Sequence, residues 1–311
     1  MSTALALVTI LIWSSLAALG SRLVHLSPFL TVGVALTIGG LAGLVRVRDW
    51  RVPLSTLAIG IGGLFGYHAL LFAAFRLSPQ VEVNLLNYLW PLLIVVLSPV
   101  FLPRFRLRPR HLLGALLGLS GAALIVTGGR FGLNLAFLPG YLLAAAAALV
   151  WASYSLLTKR VRAFPTGAVG AFCLASGLLS LGLFGLERAL SPPGSLGPGL
   201  FDLLPGDWAL LVFLGLGPMG GAFYTWDAAL KRGDPRTIGS LSYLTPLLST
   251  LNLVLLAGKP FSTTSALAMA LIIAGALIGS LDLRQFRRLS TKSGAGEGDT
   301  IGNRVYTSPR E

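Results

Sequence analysis

The sequence predicts an all-α integral membrane protein of ten transmembrane helices, built as two inverted five-helix repeats with both termini in the cytoplasm. Three observations carry that expectation. The chain is strongly apolar, with 54% hydrophobic and only 11% charged residues and a mean hydropathy of +0.79, whereas soluble domains carry about 25% charged residues. Its sequence is duplicated internally. Its basic residues alternate from loop to loop.

Apolar stretches of about 20 residues, the length that crosses a bilayer core, fall at 3–21, 28–45, 55–75, 80–102, 110–129, 138–158, 166–186, 208–230, 237–257 and 264–282. The first has no basic leader and no small-residue cleavage site, so it reads as a retained span and not a signal peptide. The fourth contains Pro91 and Pro99, which a membrane helix tolerates where neighbours satisfy the freed carbonyl. A single cysteine, Cys173, excludes an intrachain disulfide and a cysteine metal cluster. Residues 1–130 form the first repeat and 131–285 the second. The polar segment 286–311 has no apolar run and is expected to be a disordered cytoplasmic tail.

The duplication is read residue by residue. Leu86, Tyr88, Leu89, Pro91, Leu92 and Leu93 recur as Leu241, Tyr243, Leu244, Pro246, Leu247 and Leu248, always 155 residues later. The same offset carries Gly60, Gly62 and Gly66 onto Gly215, Gly217 and Gly221, and Arg76 onto Lys231. Trp13 and Arg22 recur as Trp151 and Arg160, and Gly121, Ala122 and Arg130 as Gly275, Ala276 and Arg284, at slightly shorter offsets. Such an order in an apolar chain points to a transporter made of two repeated halves. Five helices per half is an odd number, so the second half enters the membrane from the opposite side.

Thirteen of the 24 basic residues fall in the loops around Arg46–Arg51, Arg104–Arg110, Lys159–Arg162 and Lys231–Arg236, and six lie in the tail. The opposite loops hold only Arg22, Arg76, Arg130, Arg188 and Lys259. This alternation is the positive-inside pattern, and it independently gives an even helix count with cytoplasmic termini. The net charge of +13 is therefore a topology signal, and no nucleic-acid partner is expected.

Small residues four apart let helices approach closely: Gly39/Gly43, Gly62/Gly66, Gly114/Gly118, Gly217/Gly221 and Gly275/Gly279. The duplicated pair, Gly62/Gly66 and Gly217/Gly221, marks a candidate moving interface. Pro91 and Pro246 each remove one helical hydrogen bond at equivalent places, and both are candidate hinges.

Polar and aromatic residues at membrane depth are costly against lipid, so they should face the bundle interior. Span 4 carries Gln80, Asn84, Asn87, Tyr88 and Pro91 on one stripe, and span 6 carries Trp151, Tyr154, Ser155 and Thr158. Span 3 adds Tyr67 and His68, span 8 Tyr224, Trp226 and Asp227, and span 9 Ser242, Tyr243, Thr245, Ser249 and Asn252. Interhelical glue and a cavity lining both fit any one of them; the set, converging from both halves, favours a cavity. The candidate substrate-binding residues are Tyr67, His68, Asn84, Asn87, Tyr88, Trp90, Trp151, Tyr154, Tyr224, Ser242 and Tyr243. Trp90 is turned partly away from the span 4 stripe. His68 fits a neutral packed imidazole, a substrate contact or a proton carrier. Trp13 and Trp151 fit packing wedges or cavity walls. Asp227 is expected to pair with Lys231, and Glu82 with Arg76.

No paired catalytic residues, phosphate-cradling loop or serine elbow occurs, so neither an enzyme nor a cofactor or metal is expected. A phosphorylated cargo needs a cation at mid-membrane, and a cationic drug needs a carboxylate there. Neither is found. Aromatic faces, amides and hydroxyls suit a small amphipathic molecule with a zwitterionic head, and the lack of midplane carboxylates weakens proton antiport.

The duplicated ten-helix plan resembles the drug/metabolite transporter superfamily, in its EamA branch. So do Tyr-x-x-Pro in spans 4 and 9, Trp13-Ser14-Ser15 echoed by Trp151-Ala152-Ser153, and the Gly-Ala of spans 5 and 10. Within the branch, Asn87-Tyr88-Leu89-Trp90-Pro91 with Tyr67-His68 is most similar to bacterial aromatic amino-acid exporters of the YddG type. The resemblance implies a basket-shaped bundle with a central cavity, spans 5 and 10 at its base, in the bacterial inner membrane. It implies export of amino acids or similar metabolites. Other metabolite or multidrug export within the superfamily, and a non-carrier channel or structural protein, are the alternatives. The sequence leaves oligomeric state open and is compatible with a monomer.

Overall fold

The computed structural model describes residues 1–130, 132, 134–192, 195, 197–257 and 263–280. The expected tail and the last two residues of span 10 lie outside these, as does Lys259. The described chain is all-helical: α1 (Ser2–Ser14), α2 (Leu16–Gly20), α3 (Pro28–Ala42), α4 (Leu54–Leu77), α5 (Gln80–Asn87), α6 (Leu89–Phe101), α7 (Pro109–Thr127), α8 (Leu138–Arg160), α9 (Val169–Leu190), α10 (Pro205–Leu216), α11 (Ala222–Arg232), α12 (Pro235–Ser242), α13 (Leu244–Ala257) and α14 (Thr263–Ser280). Among the described residues, nine helical stretches are long and apolar enough to cross a bilayer. The broken pair α12–α13 covers the stretch 237–257 where the ninth span is expected.

Several spans are interrupted where the sequence suggested continuous helix. The first breaks at Ser15, where Ser14 and Ser15 hydroxyls donate to the Leu11 and Ile12 carbonyls at 2.7 Å, a back-bonding that bends helices. The second runs on past α3 as a 3-10 segment to Trp50, kinked at Arg46. The eighth contains a π segment, Gly217–Gly221, between α10 and α11. Spans four and nine break at equivalent residues, Tyr88 (φ −65°, ψ 3°) and Tyr243 (φ −66°, ψ −11°). Each break precedes its proline by three residues. The proline ring clashes with the carbonyl four residues back and leaves it without a donor, so the helix gives way one turn early and not at Pro91 or Pro246 itself.

Packing follows the small residues. The pairs α3 with α9, α4 with α8, α7 with α14, and α1 with α11 make the most extensive contacts. In α7–α14 the backbones touch: a Cβ on Gly114 would lie 2.7 Å from the Gly275 carbonyl and from Gly279 Cα. In α4 the glycines under contact are Gly60, against Phe172, and Gly63, against Tyr154; Gly62 has open space beside it and Gly66 only Val150 at 3.8 Å. The duplicated Gly62/Gly66 pair is thus not a tight interface on the α4 side.

Charged residues settle at the two ends. Asp227 Oδ2 accepts Lys231 Nζ at 2.7 Å, as expected, and the Thr166 hydroxyl at 2.7 Å. The expected Glu82–Arg76 pair does not form; Arg76 reaches across to Glu187 and packs over Phe29. Glu187 also accepts Ser27 Oγ, so it is already preorganised, whereas Glu82 sits in the first turn of α5 beyond the α4 break.

Gly114→Val should lower thermal stability in detergent by about 1–3 kcal/mol through overpacking. Gly62→Ala, into open space, should be neutral or mildly stabilising. Equal destabilisation by both, read as melting midpoints, would contradict this packing.

Candidate functional site

Four of the six tryptophans meet at the centre of the bundle. Trp13 of α1 lies 6.1 Å from Trp90 of α6, 5.8 Å from Trp151 of α8 and 5.2 Å from Trp226 of α11, centroid to centroid. Phe223 joins at 5.5 Å from Trp151, and Tyr154 at 5.4 Å. On the other side of Trp151 stands Tyr67, 5.2 Å away, with His68 a further 4.9 Å on. Edge-to-face and tilted geometries of this kind are worth about 0.5–1.5 kcal/mol per pair beyond area burial. The cluster is a continuous, largely buried face of rings.

Two acceptor atoms on this wall have no protein hydrogen bond among the described residues. The His68 ring holds Leu64 O at 2.7 Å through Nδ1; a carbonyl only accepts, so Nδ1 carries the proton. In the neutral ring Nε2 is then a bare acceptor, with no protein hydrogen bond among the described residues. Asn87 Nδ2 donates to the Tyr67 hydroxyl at 3.2 Å, while its Oδ1 is buried without a partner. Thr245 Oγ1, the repeat equivalent of Trp90, is likewise buried and unpartnered. An orphan acceptor in an apolar setting is costly, and a donor such as an ammonium would satisfy it.

The remaining candidates divide. Tyr88 is half-buried beside the helix break, and Asn84 is exposed one turn earlier on the same face of α5. Tyr243 is fully buried and its hydroxyl is occupied: it accepts the Leu92 N–H at 3.1 Å and donates to the Tyr88 carbonyl at 3.2 Å. Ser242 turns its hydroxyl back onto Ile238 O at 2.8 Å. Tyr224 is set apart from the cluster, donating to Gly39 O at 3.2 Å beside a cavity of about 320 Å³ lined also by Arg46 and Thr166. The structure thus gathers Tyr67, His68, Asn87, Trp90, Trp151 and Tyr154, and assigns Tyr243 and Ser242 to packing. Sequence reasoning passed over Phe223 and left Trp13 and Trp226 out of the set. The signal was available for Trp13, whose repeat partner Trp151 was chosen. A larger cleft of about 460 Å³ between α5, α6 and α7 is lined by leucines, Ser120 and Ala123, and carries no ionisable group.

The broken spans pack differently at their two ends. The halves α6 and α12 pack on each other, whereas α5 packs on α8 and α7, and α13 on α1 and α7. Where α6 meets α12, Lys159 Nζ also ties α8 to the end of α11 through Leu230 O (2.5 Å) and Gly233 O (2.6 Å). This is the end that carries the basic loops.

An EamA-like transporter family model matches residues 1–127 and 138–281. The chain belongs to the EamA-like transporter family. It is a multi-pass transmembrane transporter. A relative from Ancylobacter novellus named aromatic amino acid exporter YddG is 42% identical, covering 91% of this chain and 98% of that protein. A protein of the same name from Salmonella typhimurium is 28% identical over the same shares. One solved crystal structure matches with a TM-score of 0.82 at 43% identity, covering 92% of this chain and 98% of that one.

Tyr243→Phe strips the partner from a buried N–H and carbonyl at the break in the neighbouring helix. It should cost about 1–3 kcal/mol in detergent stability without unfolding the protein. An unchanged melting curve would show that the break is held by other contacts.

Proposed function

We propose that this transporter exports aromatic and other neutral amino acids across the bacterial inner membrane by alternating access. The observation that carries the reading is the tryptophan-walled site with orphan acceptors at His68 and Asn87 and no buried phosphate-binding cation on it. It offers stacking faces for an apolar side chain and acceptors for an α-ammonium. The relatives named as aromatic amino acid exporters support the same cargo class.

The architecture we infer is two inverted repeats, residues 1–130 and 131–285, with α12–α13 as the ninth of ten spans. Two kinds of contact support it. Repeat-equivalent residues meet at the centre: Trp13 with Trp151 at 5.8 Å, His68 with Phe223 at 6.3 Å, and Tyr88 O with Tyr243 Oη at 3.2 Å. Residues related by a two-fold axis touch when that axis passes between them. The helix pairings also survive exchange of the halves. The pair α4–α8 becomes α1–α11, α6–α8 becomes α1–α13, and α3–α9 and α7–α14 map onto themselves. Two halves that can swap conformations give two equivalent packings, one open to each face. With the basic loops in the cytoplasm, the packing of α6 on α12 at that end supports reading this conformation as closed to the cytoplasm.

Reconstituted protein should give saturable counterflow of phenylalanine, tryptophan or methionine, which a pore cannot produce. Flux equal to empty liposomes across that panel would contradict the amino-acid reading. Trp151→Ala and Tyr67→Ala should each raise the apparent KM several-fold, the equivalent of about 0.5–1.5 kcal/mol. His68→Ala separates two roles: a substrate contact loses affinity at every pH, and a proton carrier loses the pH dependence of flux. Parent-like transport by all three variants would move the site elsewhere.

A further inference from the structure

At the basic end, three cations converge on one aromatic ring. The Arg104 guanidinium lies 5.4 Å from the Phe105 centroid, that of Arg236 5.2 Å, and the Lys159 ammonium 5.6 Å. Arg236 is neutralised by Asp234 at 2.5 Å and also bonds the Arg106 carbonyl. Arg104 and Lys159 have no carboxylate partner among the described residues. The positive-inside rule accounts for cations at this end. It does not account for their convergence on a half-buried ring.

Lys159 is drawn inward, to the carbonyls of Leu230, Gly233 and, at 3.4 Å, Lys231. An ammonium suits a helix C-terminus, but the carbonyls are neutral, and the nearby Asp234 carboxylate, which acts on Lys159 only at a distance, is ion-paired with Arg236. The two helices it joins carry the aromatic wall: Trp151 and Tyr154 on α8, Phe223 and Trp226 on α11. That wall has acceptors for an ammonium, yet no cation is bonded to it or stacked on it among the described residues, so on the amino-acid reading the wall offers the cargo's carboxylate no ion-pair partner.

We propose that the Lys159–Arg104–Phe105 cluster is a carboxylate-receiving site at the basic-end approach to the aromatic cluster. The proposal rests on the amino-acid reading above. A carboxylate is a stronger partner for an ammonium than neutral carbonyls are. Taking it draws Lys159 off the end of α11, so cargo arrival and loosening of this end become one event.

Sided kinetics test this, in proteoliposomes of labelled orientation, with phenylalanine as cargo and phenethylamine, which lacks the carboxylate, as competitor. Lys159→Met should raise the KM for phenylalanine on the basic face roughly tenfold and leave the opposite face unchanged. It should also abolish the parent's discrimination against phenethylamine on the basic face. Lys159→Arg should keep that discrimination. Arg104→Gln, at an exposed residue, should raise the same KM less, and it decides the matter if Lys159→Met fails to fold. A parent that moves no phenylalanine overturns the amino-acid reading and this proposal with it. A transporting parent whose Lys159→Met and Arg104→Gln variants keep its sided KM and discrimination overturns the carboxylate site alone. Equal KM changes on both faces overturn it too, reducing Lys159 to a structural tie.

Discussion

A peptide group freed inside a bilayer has no water to bond, and the working parts of this protein are organised around that constraint. Its helices are broken at Tyr88 and Tyr243 and distorted at Gly217–Gly221. At two of these places a side chain from the other half supplies the missing partner. Tyr243 of the second repeat closes the gap at Tyr88 in the first. Trp13 of the first repeat donates its indole N–H to Pro218 O, 3.0 Å away in the π segment of the second. At these two places, contact between the halves supplies the hydrogen bonds that the helix distortion costs.

This arrangement joins the proposed site to the proposed moving seam. The indole that stitches Pro218 is the same Trp13 that anchors the tryptophan cluster, so a ligand pressed against that wall bears on the helix distortion directly. Hydrogen bonds and ring faces join the halves at the breaks, whereas α7 and α14 meet backbone to backbone through glycines, as α3 and α9 do at Gly40 and Gly177. In the proposed cycle the first exchange partners and the glycine contacts serve as the fixed base. Alternating access needs both: a base that holds the halves together and a seam with two packings of similar free energy.

The all-helical, membrane-spanning character was legible in the sequence, because apolar stretches of bilayer length follow from a solvent that acts on every residue. The Asp227–Lys231 pair was legible for a local reason, a four-residue step on one helix. What escaped was non-local. Arg76 chose Glu187, more than a hundred residues away, over nearby Glu82, since α5 starts a new direction after Ser78. Tyr224 and Ser242 lie at the right depth but on faces that meet other helices, and depth alone does not give rotation about the axis. The π segment was hidden because Gly-Pro-Met-Gly-Gly reads as a poor stretch of ordinary helix. Phe223 could have been found by asking which residue is the repeat equivalent of His68.

The central claim is that the two ends of the bundle open alternately about the stitched breaks. Double electron–electron resonance on two doubly labelled variants tests it most directly, one at exposed Arg106 and Arg232 on the basic end and one at exposed Leu77 and Leu204 on the other. The native Cys173 is buried and stays unlabelled. Adding excess phenylalanine should populate a longer distance in the first pair and a shorter one in the second, in matching proportions. Distances that stay fixed, or that lengthen together at both ends, would contradict the account.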